Sequence, residues 1–185
     1  MAYFYFDFRD LNKKRCHDLL LSLVFQLSTQ SSPCCDILHQ VYKTHKDGTR
    51  QPSDDTLKEC LKEMLRLPAQ GPIFIVLDAL DECSDSSGIS SPRNKVLQLV
   101  KDLVELGLQE LHICVTSRLQ RDIYAVLGPL GFRSVSLDNG NVINTEIVNY
   151  VRSFVKYNSR IAIMRWRADD KNLVMETLIG RANGM

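Results

Sequence analysis

The sequence predicts an α/β domain built on a mostly parallel sheet. Residues 73–78 and 111–117 are largely apolar runs that include β-branched side chains, which is typical of strands buried on both faces of a parallel sheet. Segments with helical spacing of apolar residues alternate with these runs, which indicates strand–helix–strand units. The length of 185 residues allows one domain with a sizeable core and is too short for two ordinary domains.

One strand and three helices are predicted in the first part of the chain. Alternating aromatic residues predict a strand over residues 2–8, with Phe4, Phe6 and Phe8 on one face. Apolar residues at helical spacing predict a helix over residues 11–30. Ser32 with Pro33, and Ser53 with two following aspartates, are typical helix starts. The first start predicts a helix that extends to about residue 45, and the second predicts a helix that extends to the breaker at residues 68–72.

After the strand at residues 73–78, the predicted elements continue to alternate. Ser91 and Pro92 start a helix that Gly107 terminates. The strand at residues 111–117 precedes a short helix that Gly128 closes, and a more exposed strand is predicted over residues 132–137. Two last helices are predicted, one from Asn144 as cap to residue 155 and one over residues 170–182. The end of the sequence is therefore predicted to be helical.

Composition and charge exclude several classes of protein. Charged residues make up 24% of the chain, and the net charge is +1, which argues against a general nucleic-acid or membrane-surface binder. The longest apolar stretch, residues 19–27, is far shorter than a membrane span, and acids near residue 7 argue against a signal peptide. Six cysteines without C-x-x-C spacing predict reduced thiols in an intracellular, cytoplasmic protein.

Acidic residues follow the first apolar strand. Asp78 ends this strand, and Asp81 and Glu82 come in the turn after it. Ligand sites of parallel sheets lie beyond the carboxyl ends of the strands. A carboxylate there can hold a water of a Mg²⁺ ion, and the two later acids can orient or deprotonate an attacking water. The alternative is a solvated acidic turn with no further role.

Polar residues also end the second strand. Thr116, Ser117 and Arg118 would face the same crevice if the two strands are neighbours. Arginine offers a fixed fork of donors that suits a phosphate, and the hydroxyl groups can bind a phosphate or a water. These three are the candidate nucleotide-binding residues. The alternative is a surface arginine at the start of a helix.

Four segments together resemble the NACHT class of signal-transduction NTPases, and especially fungal proteins with a nephrocystin-like N-terminal domain. They are LDALDEC, VTSR, YFYFDFRD and SLDNGNVINTEIVNYVRSFV. The resemblance implies a sheet of the P-loop NTPase type with helices on both faces over residues 1–140, and the start of a helical appendage over residues 141–185. It implies that Asp78 binds Mg²⁺ through water, that Asp81 and Glu82 are catalytic, and that Arg118 senses nucleotide.

The phosphate-binding motif of that class is absent from this sequence. None of the nine glycines precedes a lysine, so G-x-x-x-x-G-K does not occur. The resemblance therefore implies that the chain begins after the first strand and its loop. In the expected strand order, residues 2–8, 73–78 and 111–117 form a parallel core, and residues 132–137 are displaced by the missing strand.

The resulting hypothesis is a fragment of a nucleotide-dependent signalling switch. An intact relative would bind Mg²⁺ with ATP or GTP and reach protein partners through repeat or effector domains. This chain by itself is expected to bind no cofactor and to hydrolyse no nucleotide, because it lacks the amide cradle for the phosphates. The alternative is a non-catalytic interaction module that retains the fold. Nucleic-acid binding would depend only on basic residues after Tyr150.

Overall fold

A parallel sheet of three strands organises the first part of the computed structural model. Strands β1 (Ala2–Tyr5), β2 (Ile73–Asp78) and β3 (Leu111–Val115) lie side by side in that order. Ile75 lies opposite Ala2 on one side and opposite Ile113 on the other. The prediction of a three-stranded parallel core is confirmed, although β1 and β3 end at residues 5 and 115 rather than 8 and 117.

The structure describes residues 1–10, 13, 15–68, 71–84, 91–136, 141–157 and 166–182. Within the chain, contacts define two compact units, residues 1–132 and residues 133–185. Parts of three predicted elements lie outside the described residues. These are residues 11, 12 and 14 of the first helix, residues 69 and 70 of the breaker, and residue 137 of the last strand.

Five α-helices are described in the first unit, and two of them have the serine caps that the sequence predicts. Ser53 caps one helix by accepting the amide of Thr56 at 3.2 Å, and Ser91 caps another by accepting the amide of Asn94 at 3.1 Å. The helices are α1 (Cys16–Ser28), α2 (Ser32–Thr44), α3 (Asp54–Leu65), α4 (Pro92–Glu105) and α5 (Arg121–Leu127). The cap of α2 is residue 31 rather than residue 32.

The sheet buries one face and exposes the other. Alternate residues of β1 and β2 join a single core with α1, α3 and α4; they are Ala2, Phe4, Ile73, Ile75 and Leu77. The residues between them include Tyr3, Tyr5 and Phe74, and all three are about half exposed. The expectation of helices on both faces is therefore wrong for the described residues. The connections from β1 to β2 and from β2 to β3 move in the same direction across the sheet. Because such connections share one handedness, their helices lie on the same face.

The predicted fourth strand is absent among the described residues. Residues 132–136 form no strand, and β3 is the last strand of the sheet. The prediction of a strand over residues 132–137 is therefore wrong for residues 132–136. Phe132 packs partly against the core, whereas residues 133–136 are exposed.

The outer edge of β1 is covered by glutamine side chains from and just after α1. Gln26 accepts the amide of Tyr3 at 3.0 Å and donates to its carbonyl at 2.7 Å. Gln30 bonds the carbonyl of Met1 at 2.9 Å and the terminal amine at 2.8 Å. Side chains thus occupy hydrogen-bonding positions that an additional strand would take, which is one way in which proteins protect a sheet edge.

Two helices are described in the second unit, and they pack against each other. They are α6 (Asn141–Tyr157) and α7 (Ala168–Ala182). Both start earlier than predicted, and Asn144 lies inside α6 rather than at its cap. The rings of Tyr150 and Phe154 stack on the surface of α6 with centroids 6.0 Å apart. None of the described helices has the length and apolar character required to cross a bilayer.

Candidate functional site

A tight acidic turn follows β2. Ala79 adopts a left-handed conformation with φ of 54°, and Leu80–Glu82 forms one turn of 3₁₀-helix. We refer to residues 79–84 as the acidic turn. A left-handed conformation costs a residue with a Cβ atom roughly 1–2 kcal/mol, so surrounding contacts must hold Ala79 in place. The chain reverses here because of Ala79, so the acids after it do not continue along the strand.

Thr116 holds the start of the acidic turn against the end of β3. Its hydroxyl donates to the Asp78 carboxylate at 2.5 Å and accepts the amide of Ala79 at 2.9 Å. Its carbonyl accepts the amide of Leu80, also at 2.9 Å. The ends of β2 and β3 therefore meet at one edge of the sheet. The Thr116 hydroxyl is already engaged by the protein in this arrangement.

Arg118 contacts the acidic turn from the segment after β3. Its amide donates to the Asp81 carboxylate at 3.0 Å, and its Nε lies 3.5 Å from the other carboxylate oxygen. This confirms the expectation that Arg118 and Asp78 lie at the same edge of the sheet. The Asp81 side chain is 9% exposed, whereas that of Arg118 is 82% exposed. Solvent therefore surrounds most of the Arg118 side chain, whereas the Asp81 carboxylate is largely shielded from it.

A cavity of about 330 Å³ lies between the acidic turn and the start of α5. Glu82 contributes to its wall and accepts the amide of Phe8 at 3.3 Å. The described lining contains four charged side chains of both signs, together with polar and apolar groups. It comprises Phe8, Asp81, Glu82, Cys83, Ser84, Arg93, Arg118 and Gln120.

Three of the predicted site residues are not among the residues that line this cavity; they are Asp78, Thr116 and Ser117. The exposed Asp78 side chain alternates with buried Leu77, so it projects from the open face of the sheet with Phe74. Ser117 donates to the carbonyl of Arg118, and Thr116 binds Asp78 as given above. Asp81 and Glu82 therefore line the cavity, whereas Asp78 does not. Among the described residues, no three acidic, histidine or cysteine side chains come close enough to hold a metal ion.

Arg93 at the start of α4 is a cavity residue that the sequence interpretation missed. Its guanidinium is buried and pairs with the Asp122 carboxylate at 3.0 Å. A signal was present, because Arg93 precedes the buried residues Val96, Leu97 and Val100 by three, four and seven positions. This spacing places it on the apolar face of the helix. A buried arginine requires a partner, and that partner is not adjacent in sequence.

The Asp122 carboxylate is expected to remain ionised under mildly acidic conditions. Desolvation acts to raise its pKa, but hydrogen bonds from Arg93 and the local backbone outweigh this effect and lower the pKa below the ordinary 3.8. The pair therefore contributes stability above pH 3.8, and this contribution is lost as pH falls through the lowered pKa. An NMR titration of the carboxyl carbon should give a midpoint below 3.8 that rises in Arg93→Gln. A midpoint at or above 3.8 in the parent protein would contradict the pairing.

Cys83 lies at the cavity and is a packing thiol. Burial raises the pKa of Cys83 to about 12 and those of Cys16 and Cys60 to about 11. At pH 8, only about one thiol in a thousand is ionised when the pKa is 11. The raised pKa therefore argues against a role for Cys83 as a nucleophile.

Thiol labelling of the native chain at pH 8 is expected to modify two cysteines rapidly. Cys35 and Cys114 are exposed, whereas the other four cysteines are buried. Denaturant should release those four, so that mass spectrometry counts two adducts before unfolding and six after it. Rapid labelling of Cys83 in the native protein would show that the acidic turn opens.

Comparison with known families supports the relationship that the motifs suggested. The sequence profile described as nephrocystin 3, N-terminal, matches residues 1–118, which include the whole sheet, the acidic turn and Arg118. No significant match is found among curated proteins, and none is found among solved structures. The matched segment makes up more than half of the chain. The chain therefore belongs to the nephrocystin 3, N-terminal family and carries a nephrocystin-like N-terminal domain.

Proposed function

We propose that this domain contributes the acidic half of a nucleotide-dependent switch of the NACHT type. The observation that carries the proposal is the convergence of the ends of β2 and β3. Asp78 with Thr116, and Asp81 with Arg118, are bonded pairs at the carboxyl edge of a parallel sheet. This edge is where parallel α/β sheets bind ligands. The family match supports a NACHT-associated role.

The chemistry of the donors suits Mg²⁺ held through water. Asp78 presents an exposed carboxylate beside a hydroxyl, and Mg²⁺ prefers oxygen ligands while it retains several waters. When bound, the ion would neutralise charge on nucleotide phosphates. Glu82, which contacts the backbone of Phe8, is better placed to orient a water than Asp81, whose carboxylate is engaged by Arg118. The phosphate cradle must come from residues that this sequence does not contain.

Nucleotide binding tests the proposal. Binding of fluorescent ATP and GTP analogues with Mg²⁺ should be compared for this chain and for the chain joined to any in-frame strand and G-x-x-x-x-G-K segment encoded before Met1. In a form that binds, Asp78→Asn should abolish the dependence on Mg²⁺. Glu82→Gln should slow hydrolysis about 100-fold or more and leave binding unchanged.

Glu59→Gln is the matched control for Glu82→Gln. Glu59 is an exposed acid of α3 that pairs with Lys62 at 2.8 Å, far in sequence from the acidic turn. The Glu59→Gln variant should leave both nucleotide binding and hydrolysis unchanged. Equal turnover in the Glu82 and Glu59 variants would contradict the role of the acidic turn.

A non-catalytic interaction module is the second candidate function. The exposed face of the sheet favours it, because Tyr3, Tyr5 and Phe74 are exposed and Phe74 stacks on His112 at 4.8 Å. Exposed aromatic groups on one surface are typical of protein interfaces. Absence of nucleotide binding in every form of the chain would favour this second function.

A further inference from the structure

Arg93 bonds two parts of the chain that are distant in sequence. Its Nε and Nη2 donate to the carbonyl of Cys83 at 3.2 and 3.0 Å, and Nη2 also donates to the carbonyl of Asp81 at 2.8 Å. Its Nη1 donates to the carboxylate of Asp122 at 3.0 Å. The carbonyls belong to the acidic turn, and Asp122 belongs to the first turn of α5.

The burial of this guanidinium makes these bonds energetically important. The Arg93 side chain is only 6% exposed. A buried charge is costly unless it is paired and hydrogen-bonded, so loss of any acceptor is penalised more than at the surface. The acceptors point in different directions, and the planar fork of arginine suits such a set better than the single ammonium of lysine.

We propose that Arg93 is a positioning residue that holds the acidic turn against α5. It acts on Asp81 and Glu82 through the backbone of their turn, while Arg118 contacts the Asp81 side chain from the exposed side. A ligand that moves the acidic turn therefore also changes the stability of α5. The positioning role is argued from the bonds of Arg93, whereas its use by a nucleotide rests on the proposed function.

Hydrogen–deuterium exchange of this chain tests the link. Arg93→Gln should accelerate exchange about tenfold or more in residues 79–84 and 121–127, because it removes charged hydrogen bonds from both segments. Exchange in α3 should stay unchanged. Lys101→Gln is the matched control, since Lys101 lies on the same helix in an exposed pair with Glu105. It should change neither segment.

Two further variants separate positioning from general stability. Asp122→Asn removes the charge on the α5 side and should accelerate exchange in residues 121–127 more than in residues 79–84. Arg93→Lys should retain the contact with Asp122 and lose part of the contact with the carbonyls, so residues 79–84 remain faster than in the parent. If Arg93→Gln does not fold, these two variants still decide the proposal.

Three results would overturn the proposal. Uniform acceleration that includes α3 would assign Arg93 a general role in stability. Unchanged exchange in both segments would show that Arg93 positions neither. Full restoration by lysine would show that charge suffices and that the fork has no role.

Addition of Mg²⁺ with ATP or GTP separates this inference from the proposed function. If no form of the chain binds nucleotide, the proposed function fails, and the exchange pattern of the variants still supports the positioning role. In a form that does bind, nucleotide should slow exchange in residues 121–127 of the parent and not of Arg93→Gln. Binding without that protection in the parent would overturn the coupling to α5.

Discussion

Phe6→Ala is expected to lower the free energy of unfolding by about 3–5 kcal/mol. Phe6 follows β1, is 2% exposed and packs edge-on against the ring of Phe4, with centroids 5.0 Å apart. The substitution removes a large apolar group from the core and leaves a cavity. Urea denaturation followed by circular dichroism gives the loss directly.

Phe8→Ala is the matched control, because it removes the same ring two residues further along the chain. Phe8 is 59% exposed, so its loss should change the free energy of unfolding by no more than about 0.5 kcal/mol. Similar losses in the two variants would contradict the difference in burial between Phe6 and Phe8. The alternation of aromatic residues predicts that Phe6 and Phe8 lie on one face of a strand, and this prediction is wrong because the strand ends at Tyr5 and Phe8 is exposed.

Leu80→Ala is expected to cost about 2–5 kcal/mol and to displace the acidic turn. Leu80 is fully buried although it lies between Asp78 and Asp81. Its side chain anchors the acidic turn in the core, and its amide bonds the carbonyl of Thr116. The same denaturation experiment measures the loss of stability. Exchange of residues 79–84 reports the displacement.

Leu119→Ala serves as the control for Leu80, since both leucines lie in the connections after neighbouring strands. Leu119 is 90% exposed and should tolerate the change within about 0.5 kcal/mol. A loss below about 1 kcal/mol for Leu80→Ala would show that the acidic turn is not anchored by this side chain.

The prediction of the strands succeeds where local pattern and burial agree. The apolar run at β2 lies between a breaker and an aspartate, and its observed bounds are the predicted ones. The end of β1 is less predictable. The aromatic alternation continues to Phe8, but pairing with β2 stops after the amide of Phe6, which bonds the carbonyl of Asp78. The partner strand thus determines where β1 ends.

The candidate site shows the same division. Asp78, Asp81 and Arg118 were predicted because polar residues that end neighbouring parallel strands must meet at one edge. The division of the acids between the open face and the cavity depends on side-chain alternation in β2 and on the left-handed Ala79. Alanine rarely adopts a left-handed conformation, so the sequence did not predict one at residue 79.

By itself, the sequence determined the α/β class, the three parallel strands, most helix starts and the family to which the domain belongs. These features depend on apolar periodicity, caps and short motifs, which act over a few residues. Only the tertiary structure decided that one face of the sheet stays open and that Arg93 joins the acidic turn to α5. Both depend on the direction of crossovers and on contacts between residues far apart in the chain, which local patterns do not encode.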